Sequence, residues 1–356
     1  MTIRRAIAGV GLLALAASLT YVVHGMLTSL PVAVSPTPPP ESSPPEPPHA
    51  ALGIRVRGGQ IVEANGRELV LRGVNHAYAW FPERNSSFAD IKATGANSVR
   101  VSLATGHQWG VTSAADVAGV VSRCRQNRLI CVFDAHDTMG LGETGGAATL
   151  AEATDYWLSV QSALTGQENY VIVNIGNEPY GNYHYRTWVV DTAAAIRRLR
   201  AAGFLHTLMV DAPDWGQDLS FTMRDNARAV LAADPSGNTV FSVHMYGVFN
   251  TGAKVGSYMA SFVKRGLPLV VGEFAYMHKF GDPAEDAIMA YAQTNRLGYF
   301  GWSWSGNDRE VGYLDMVNDF DPSRRTPWGN RFINGPNGLS TTSREASVYR
   351  PGRQRA

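Results

Sequence analysis

Tyr170-Val171-Ile172-Val173-Asn174-Ile175-Gly176-Asn177-Glu178-Pro179 is the stretch on which the fold turns. An apolar run rich in Val and Ile, without strict polar alternation, has the character of a parallel strand buried on both faces. Seven other runs share this build: Leu69–Val74, Ser98–Leu103, Leu129–Phe133, Thr207–Val210, Thr239–Val243, Leu267–Val271 and Tyr299–Trp302. Between them lie amphipathic segments such as Ala114–Arg125, Leu150–Leu164, Thr187–Ala201 and Val255–Lys264, whose apolar residues recur at the three- and four-residue steps of a helix. Repeats of strand plus helix, about thirty to forty residues each, add up to roughly the 250 residues of a (β/α)8 TIM barrel. A doubly wound open sheet is the competing α/β architecture, and no Gly-x-Gly-x-x-Gly follows the first strand. Upstream, Gly58-Gly59 separates Ile54–Val56 from Ile61-Val62, and Asn65-Gly66 follows. Such pairs supply the positive φ of tight turns, so a short N-terminal β-hairpin should cap the barrel.

The 356 residues are 45% hydrophobic and 17% charged, ample for a packed core and too apolar for wholesale disorder. Lys+Arg 31 against Asp+Glu 30 leaves a net charge of +1, which provides no global field for nucleic acid or an anionic membrane. A neutral ligand is expected. Only Lys92, Lys254, Lys264 and Lys279 could serve Schiff-base chemistry. Cys124 and Cys131 are too few for a disulfide scaffold and lack metal-site partners at the usual spacings. A local disulfide in an oxidising compartment and two half-buried thiols both fit them.

Behind Arg4 and Arg5, no charge interrupts Ala6 to Val23, which marks residues 1–30 as a signal peptide or a membrane anchor. Residues 31–50 are rich in Pro and Ser and form an extended linker. One globular domain is expected over 51–332, as a monomer outside the cell or tethered to the outer face of the membrane. Residues 333–356 lack apolar periodicity and read as a poorly ordered tail or a surface wrap.

Working groups of such a barrel sit at the carboxyl ends of its strands. Here the apolar runs lead into Asn75-His76, Arg100, His136-Asp137, Asn177-Glu178, Asp211, His244-Met245-Tyr246, Glu273 and Trp302-Ser303-Trp304. Two of these tips are glutamates, on the fourth and seventh strands. Glycosidic hydrolysis needs one carboxylic acid to protonate the departing oxygen and one carboxylate to attack or to activate water. Their environments must differ, since one holds a proton while the other stays ionised, and Arg100 and Tyr246 are candidate donors to the ionised one. Trp80, Trp109, Trp215 and Trp302 fall at strand ends or in the following loops, where aromatic platforms suit the C–H faces of a polysaccharide. The loop from Thr138 to Gly146 lacks a Gly-Lys-Ser/Thr ending and reads as a flexible rim. A metal-dependent hydrolase using His136, Asp137 and His244 is a weaker reading, since no His-x-His or His-Glu-x-x-His occurs. A non-catalytic carbohydrate-binding barrel has no use for both glutamates.

The string Ile175-Gly176-Asn177-Glu178-Pro179 resembles the fourth-strand signature of the large clan of retaining glycosidases. Taken with Arg100, His136, His244-Met245-Tyr246, Glu273 and Trp302 in that order, the chain resembles glycoside hydrolase family 5 over roughly residues 53–332. Gly73-Val74-Asn75-His76, Asp211 to Gln217, Ser242 to Tyr246 and Gly301 to Gly306 are similar to its bacterial β-mannanases. The resemblance implies Glu178 as acid/base, Glu273 as nucleophile and no cofactor or metal. It implies that Asn177 hydrogen-bonds the sugar 2-hydroxyl, that Arg100 and Tyr246 hold Glu273, and that His244 lies near the acid/base. His136 and His76 would line the floor, Trp302 would stack under the sugar with Trp304 as its rival, and Trp80 and Trp215 would extend the cleft. The substrate implied is β-1,4-mannan, with an endo-β-1,4-glucanase of the same family as the alternative. Ala275 after Phe274 and Asp214 before Trp215 are departures from the residues common in relatives.

Overall fold

The computed structural model describes residues 53–350; the signal or anchor segment and the linker read from sequence lie outside the described residues. The chain opens with an antiparallel hairpin, β1 (Arg55–Arg57) and β2 (Gln60–Val62), turned by Gly58 and Gly59 at φ +57° and +77°. Eight parallel strands follow: β3 (Arg72–His76), β4 (Ser98–Leu103), β5 (Ile130–Ala135), β6 (Val171–Asn174), β7 (Leu208–Asp211), β8 (Thr239–Met245), β9 (Leu269–Phe274) and β10 (Gly298–Gly301). They close in sequence order, with β10 paired to β3. All eight apolar runs are therefore barrel strands.

Around the barrel lie α1 (Ser87–Ala93), α2 (Ala114–Gln126), α3 (Leu150–Ser159), α4 (Gln161–Leu164), α5 (Trp188–Ala201), α6 (Thr222–Leu231), α7 (Gly252–Val263) and α8 (Glu285–Asn295). The segment Leu150–Leu164, read as one helix, is broken at Val160, where φ is −102°. Two helices begin with reciprocal capping boxes, Ser113 with Asp116 and Thr149 with Glu152. Each satisfies backbone donors that the first turn leaves free, worth about 1 kcal/mol. Cys124 on α2 and Cys131 on β5 form a disulfide, which settles the question of their pairing.

Two cores result from strand alternation, because successive side chains point to opposite faces. One face packs Val99, Val101, Phe133, Val173 and Phe241 against the helices. The other fills the barrel interior with Ile130, Val132, Ile172, Met209, Val240, Val270 and Phe300, and the hairpin residues Ile54 and Ile61 join this inner cluster. The hairpin plugs the base: Ile54 hydrogen-bonds Glu168, Thr207 and Asn238, which immediately precede or lie close before barrel strands.

Residues 333–350 are a surface wrap rather than a poorly ordered tail. They continue from α9 (Pro327–Asn334) through α10 (Leu339–Thr342) across the same base. The buried carboxylate of Glu63 accepts from the Ser347 and Val348 amides, Asn97 donates to the Arg344 carbonyl, and the Tyr349 hydroxyl donates to the Leu129 carbonyl. These anchors are single polar contacts with no apolar period, so the sequence pattern does not reveal them. Among the described residues no helix is long and apolar enough to cross a membrane.

Candidate active site

One step of two residues along the inner face converts apolar filling into chemistry. Val132 is followed by Asp134, Ile172 by Asn174, Met209 by Asp211, Val240 by Ser242 and Phe300 by Trp302. The upper end of the barrel is therefore polar and the lower end is sealed.

Glu178 stands just beyond β6 with its backbone at φ +41°, a left-handed conformation that costs a non-glycine residue about 1 kcal/mol or more. The surroundings hold it there. The Gly140 amide donates to the Glu178 carbonyl at 3.0 Å, the Asn177 amide to the Ala135 carbonyl at 3.0 Å, and the Thr138 hydroxyl to the Asn177 carbonyl at 2.5 Å. Glu273 projects from β9, next to a register shift between Val243 and His244 of β8. Such an irregularity re-aims a side chain beside a site. Carboxylate oxygens of Glu178 and Glu273 lie within 4.8 Å of each other.

The two carboxyl groups have different partners. Glu273 accepts from Arg100 Nη1 at 2.7 Å and from the Tyr246 hydroxyl at 2.8 Å. Glu178 receives a single side-chain hydrogen bond, 2.7 Å from His244 Nδ1; burial pushes its pKa up and outweighs the pull of the His244 hydrogen bond and charge, and the nearby Glu273 charge adds to the rise. Arg100 is wholly buried; its guanidinium also reaches Asn75 at 3.0 Å, Asn177 at 2.7 Å, Asp211 at 3.1 Å and Asp134 at 3.5 Å. Burial alone would weaken its hold on its proton, but the ring of carboxylates outweighs burial and raises its pKa above the ordinary value. For His244, burial opposes charge, yet Glu273 and Asp211 outweigh it and lift the ring to about 10, so it is an imidazolium. Its Nε2 lies 3.2 Å from Asp211 Oδ2, an ion-pair contact without hydrogen-bond alignment.

Above this layer opens a cleft of about 760 Å³, lined by Glu178, Glu273, Asn177, His136, Tyr246, Trp302 and Trp215 among others. His136 stacks on Trp302 with ring centroids 5.6 Å apart, and its Nδ1 is fixed by Asp134 at 2.7 Å. Trp302 is half-buried, its Nε1 donating to Asn307 at 2.9 Å, whereas Trp304 is fully buried in the core. Trp80 packs edge-on against His136 and Trp109 at the rim. Trp215 donates through Nε1 to Glu143 at 3.2 Å, and Glu143 also accepts from the Tyr183 amide, so the glycine-rich rim is tied across the cleft mouth. Asp214 is buried and accepts from the Ser220 amide and hydroxyl.

His76 is a correction to the expected floor. It is fully buried on the outer face of β3, packed edge-on against Phe88, Tyr78 and Phe320, and neither ring nitrogen has a partner. The neighbouring Asn75 points inward instead and meets Arg100 and the carbonyls of Gly272 and Gly301. Alternation permits only one of the two to face the site. Asp134 is not singled out by the sequence reading, and Asp211 appears there as a strand tip without a role. The signal was present in Arg100: a buried cation needs counterions, and inward acidic residues on neighbouring strands are where to look.

Glu178, His244 and Glu273 are also the one group among the described residues whose donor atoms cluster as a metal site does. The donor set does not fit a cation. His244 Nδ1 is engaged by Glu178, and a protonated ring has no lone pair to offer.

The family model of cellulase, glycosyl hydrolase family 5, matches residues 62–308. The chain is 56% identical over 304 residues to a mannan endo-1,4-beta-mannosidase of Streptomyces lividans, covering 85% of this chain and 79% of that protein. It is 50% identical to a mannan endo-1,4-beta-mannosidase of Cellvibrio japonicus, over 84% of this chain and 70% of the relative. Among solved structures, the mannohexaose complex of Thermomonospora fusca beta-mannanase superposes with a TM-score of 0.82 at 53% identity, covering 84% of this chain and all of that one. With a matched model spanning most of the barrel and both strand-end glutamates inside it, the chain belongs to glycosyl hydrolase family 5.

Proposed function

We propose that the protein is a retaining endo-β-1,4-mannanase that cleaves β-mannan-type polysaccharides through a covalent glycosyl-enzyme intermediate. The observation that carries the mechanism is the separation of the two carboxylates. Oxygens within 4.8 Å leave no room for a water between nucleophile and sugar. Retaining enzymes hold the pair about 5–5.5 Å apart and inverting ones about 6.5–9.5 Å. Glu178 carries the proton, in keeping with its raised pKa, and delivers it to the glycosidic oxygen as that bond breaks. Glu273 attacks the anomeric carbon from the opposite face. In the second step Glu178 takes a proton from water, whose oxygen bonds to the anomeric carbon and releases Glu273.

The remaining side chains hold this geometry. Arg100 and Tyr246 occupy both oxygens of Glu273 and set its orientation. Asn177 gives its carbonyl oxygen to Arg100, which leaves its amide nitrogen to donate to the sugar 2-hydroxyl. Trp302 offers an indole face below the sugar beside the cleavage point, and Trp215 and Trp80 extend the cleft. The preference for mannan is supported by the likeness, at 56% and 50% identity, to the two mannan endo-1,4-beta-mannosidases. Export is the setting proposed for it, as a monomer that is secreted or held by its N-terminal segment at the outer membrane face, which agrees with the disulfide.

Reducing-sugar release from galactomannan, glucomannan and carboxymethyl cellulose, measured side by side, tests the substrate. Preference for the two mannans is expected; hydrolysis of cellulose alone would overturn the mannan assignment and keep the mechanism. Glu178→Ala should lower turnover of polysaccharide by about 10²–10⁴-fold. A variant as fast as the parent removes the acid/base role.

A further inference from the structure

Asp211, the last residue of β7, is absent from the cleft lining, yet one of its oxygens touches groups that serve both glutamates. Oδ2 lies 3.1 Å from Arg100 Nη2, 3.2 Å from His244 Nε2 and 3.3 Å from the Glu178 amide nitrogen. Oδ1 accepts from Asn174 at 2.8 Å, and the Asp211 carbonyl accepts from Trp188 Nε1 at 3.0 Å. The carboxylate is almost wholly buried, so these contacts are not diluted by solvent. Arg100 orients the nucleophile; His244 and the strained Glu178 backbone orient the acid/base. A single atom joins both halves.

We propose that Asp211 is a positioning residue that couples the two halves of the reaction: it holds His244 as the imidazolium that hydrogen-bonds Glu178, and ties the Glu178 backbone to the arginine behind Glu273. This rests on the glycosidase reading above. The groups facing His244 come from four elements: Glu178 beyond β6 at 2.7 Å, Asp211 of β7 at 3.2 Å, Glu273 of β9 at 3.5 Å, and Arg100 of β4 behind those carboxylates. Glu273 sits at the same Nδ1 as Glu178, so Asp211 is the carboxylate that meets the far side of the ring. With a charged ring, Nδ1 donates to Glu178 and leaves the Glu178 proton free for the leaving oxygen. A neutral ring with a bare Nδ1 would instead accept that proton and withhold it. Asp211 thus acts on the acid/base through a residue that itself touches no leaving group.

The test is Asp211→Asn, nearly the same size and without the charge. Removing a negative charge makes the imidazolium lose its proton at lower pH, so the alkaline limb of kcat/KM should move acid-ward by about 1–2 pH units. At pH 9 the variant should lose about two- to tenfold on polysaccharide, the fraction of rings that such a shift deprotonates. It should lose far less on a 2,4-dinitrophenyl glycoside, whose leaving group needs no proton. An alkaline limb in the parental position, with equal losses on both substrates, would overturn the proposal in favour of a merely structural role. Should the variant not fold, the parent protein decides: ¹⁵N-histidine NMR, with the His244 signal assigned by its loss in His244→Gln, should show an imidazolium at pH 7. A neutral ring there overturns the proposal. That measurement uses no substrate, and the pH profile can be read on whichever glycan is hydrolysed, so a wrong mannan assignment would not be mistaken for a failure of this role.

Discussion

Tyr246→Phe separates the two chemical steps. The phenol hydroxyl donates to Glu273 Oε2 at 2.8 Å in a buried setting, and the substitution deletes this donor while keeping the ring that stacks on His278 at 5.1 Å. A hydrogen bond to a charged group is worth about 1.5–3 kcal/mol. In the first step Glu273 gives up its charge to the sugar, so the bond weakens on the way to the transition state and its loss is small. In the second step Glu273 departs as a carboxylate and the bond strengthens, so its loss falls on deglycosylation. At about 1.36 kcal/mol per decade the second step should slow roughly 10- to 150-fold. Stopped-flow measurement with a 2,4-dinitrophenyl glycoside should show a burst of phenolate stoichiometric with enzyme, then a steady state reduced by that factor. A steady state within twofold of the parent and no burst would show that the hydroxyl does not serve the nucleophile.

Trp302→Ala removes the ring stacked on His136 and should lower kcat/KM for mannohexaose about 3- to 10-fold, measured by product release, with folding retained. Asp234→Asn tests a buried pair away from the chemistry: burial raises the Asp234 pKa, but Arg200 at 2.9 Å and the Ser236 and Thr239 hydroxyls outweigh it and hold it down to about 2. A depressed carboxylate contributes stability above its unfolded pKa that is lost as pH falls through the folded one. The variant should therefore be about 2 kcal/mol less stable at pH 7 by urea unfolding, and should converge with the parent between pH 4 and 2. His76, pushed down to about 3 by burial, is the opposite case: the unfolded chain binds a proton below pH 6.5 that the native one refuses. The parent should lose up to about 1.4 kcal/mol per pH unit from this residue between pH 6.5 and 3, and His76→Leu should lack that component of its acid slope.

Fold and site differ in how far they can be read from sequence. All eight strands announce themselves because a parallel strand is buried on both faces, so its apolar run goes uninterrupted until the polar residues at its carboxyl end. The glutamates were equally visible, since a charge at the end of such a run has to serve something. Direction was harder. Asn75 and His76 are adjacent tip residues of one strand, and only the pleat decides which enters the barrel. Trp302 and Trp304 are two residues apart, so the pleat alone would send them to one face; β10 ends at Gly301, and beyond it Trp302 lines the cleft while Trp304 is buried in the core. The wrap at the base was hidden for another reason. It is held by isolated contacts such as Glu63 to Ser347, whose partners are 284 residues apart and leave no local pattern.

Arg100 explains why none of the variants above touches it. Its guanidinium is in contact with Asp134, Asp211 and Glu273 together, and Asn75 and Asn177 give it their carbonyl oxygens. Removing one partner of a buried ion pair costs about 3–5 kcal/mol because the other charge is stranded. Removing Arg100 strands three, a penalty comparable with the whole stability of a typical domain. Loss of activity in an Arg100 variant would therefore say little about chemistry. The peripheral members of the network, Tyr246 on one side and Asp211 on the other, can each be altered by one atom or one charge while the guanidinium keeps its remaining partners. Their effects should be non-additive when combined, because both act through the same pair of carboxylates.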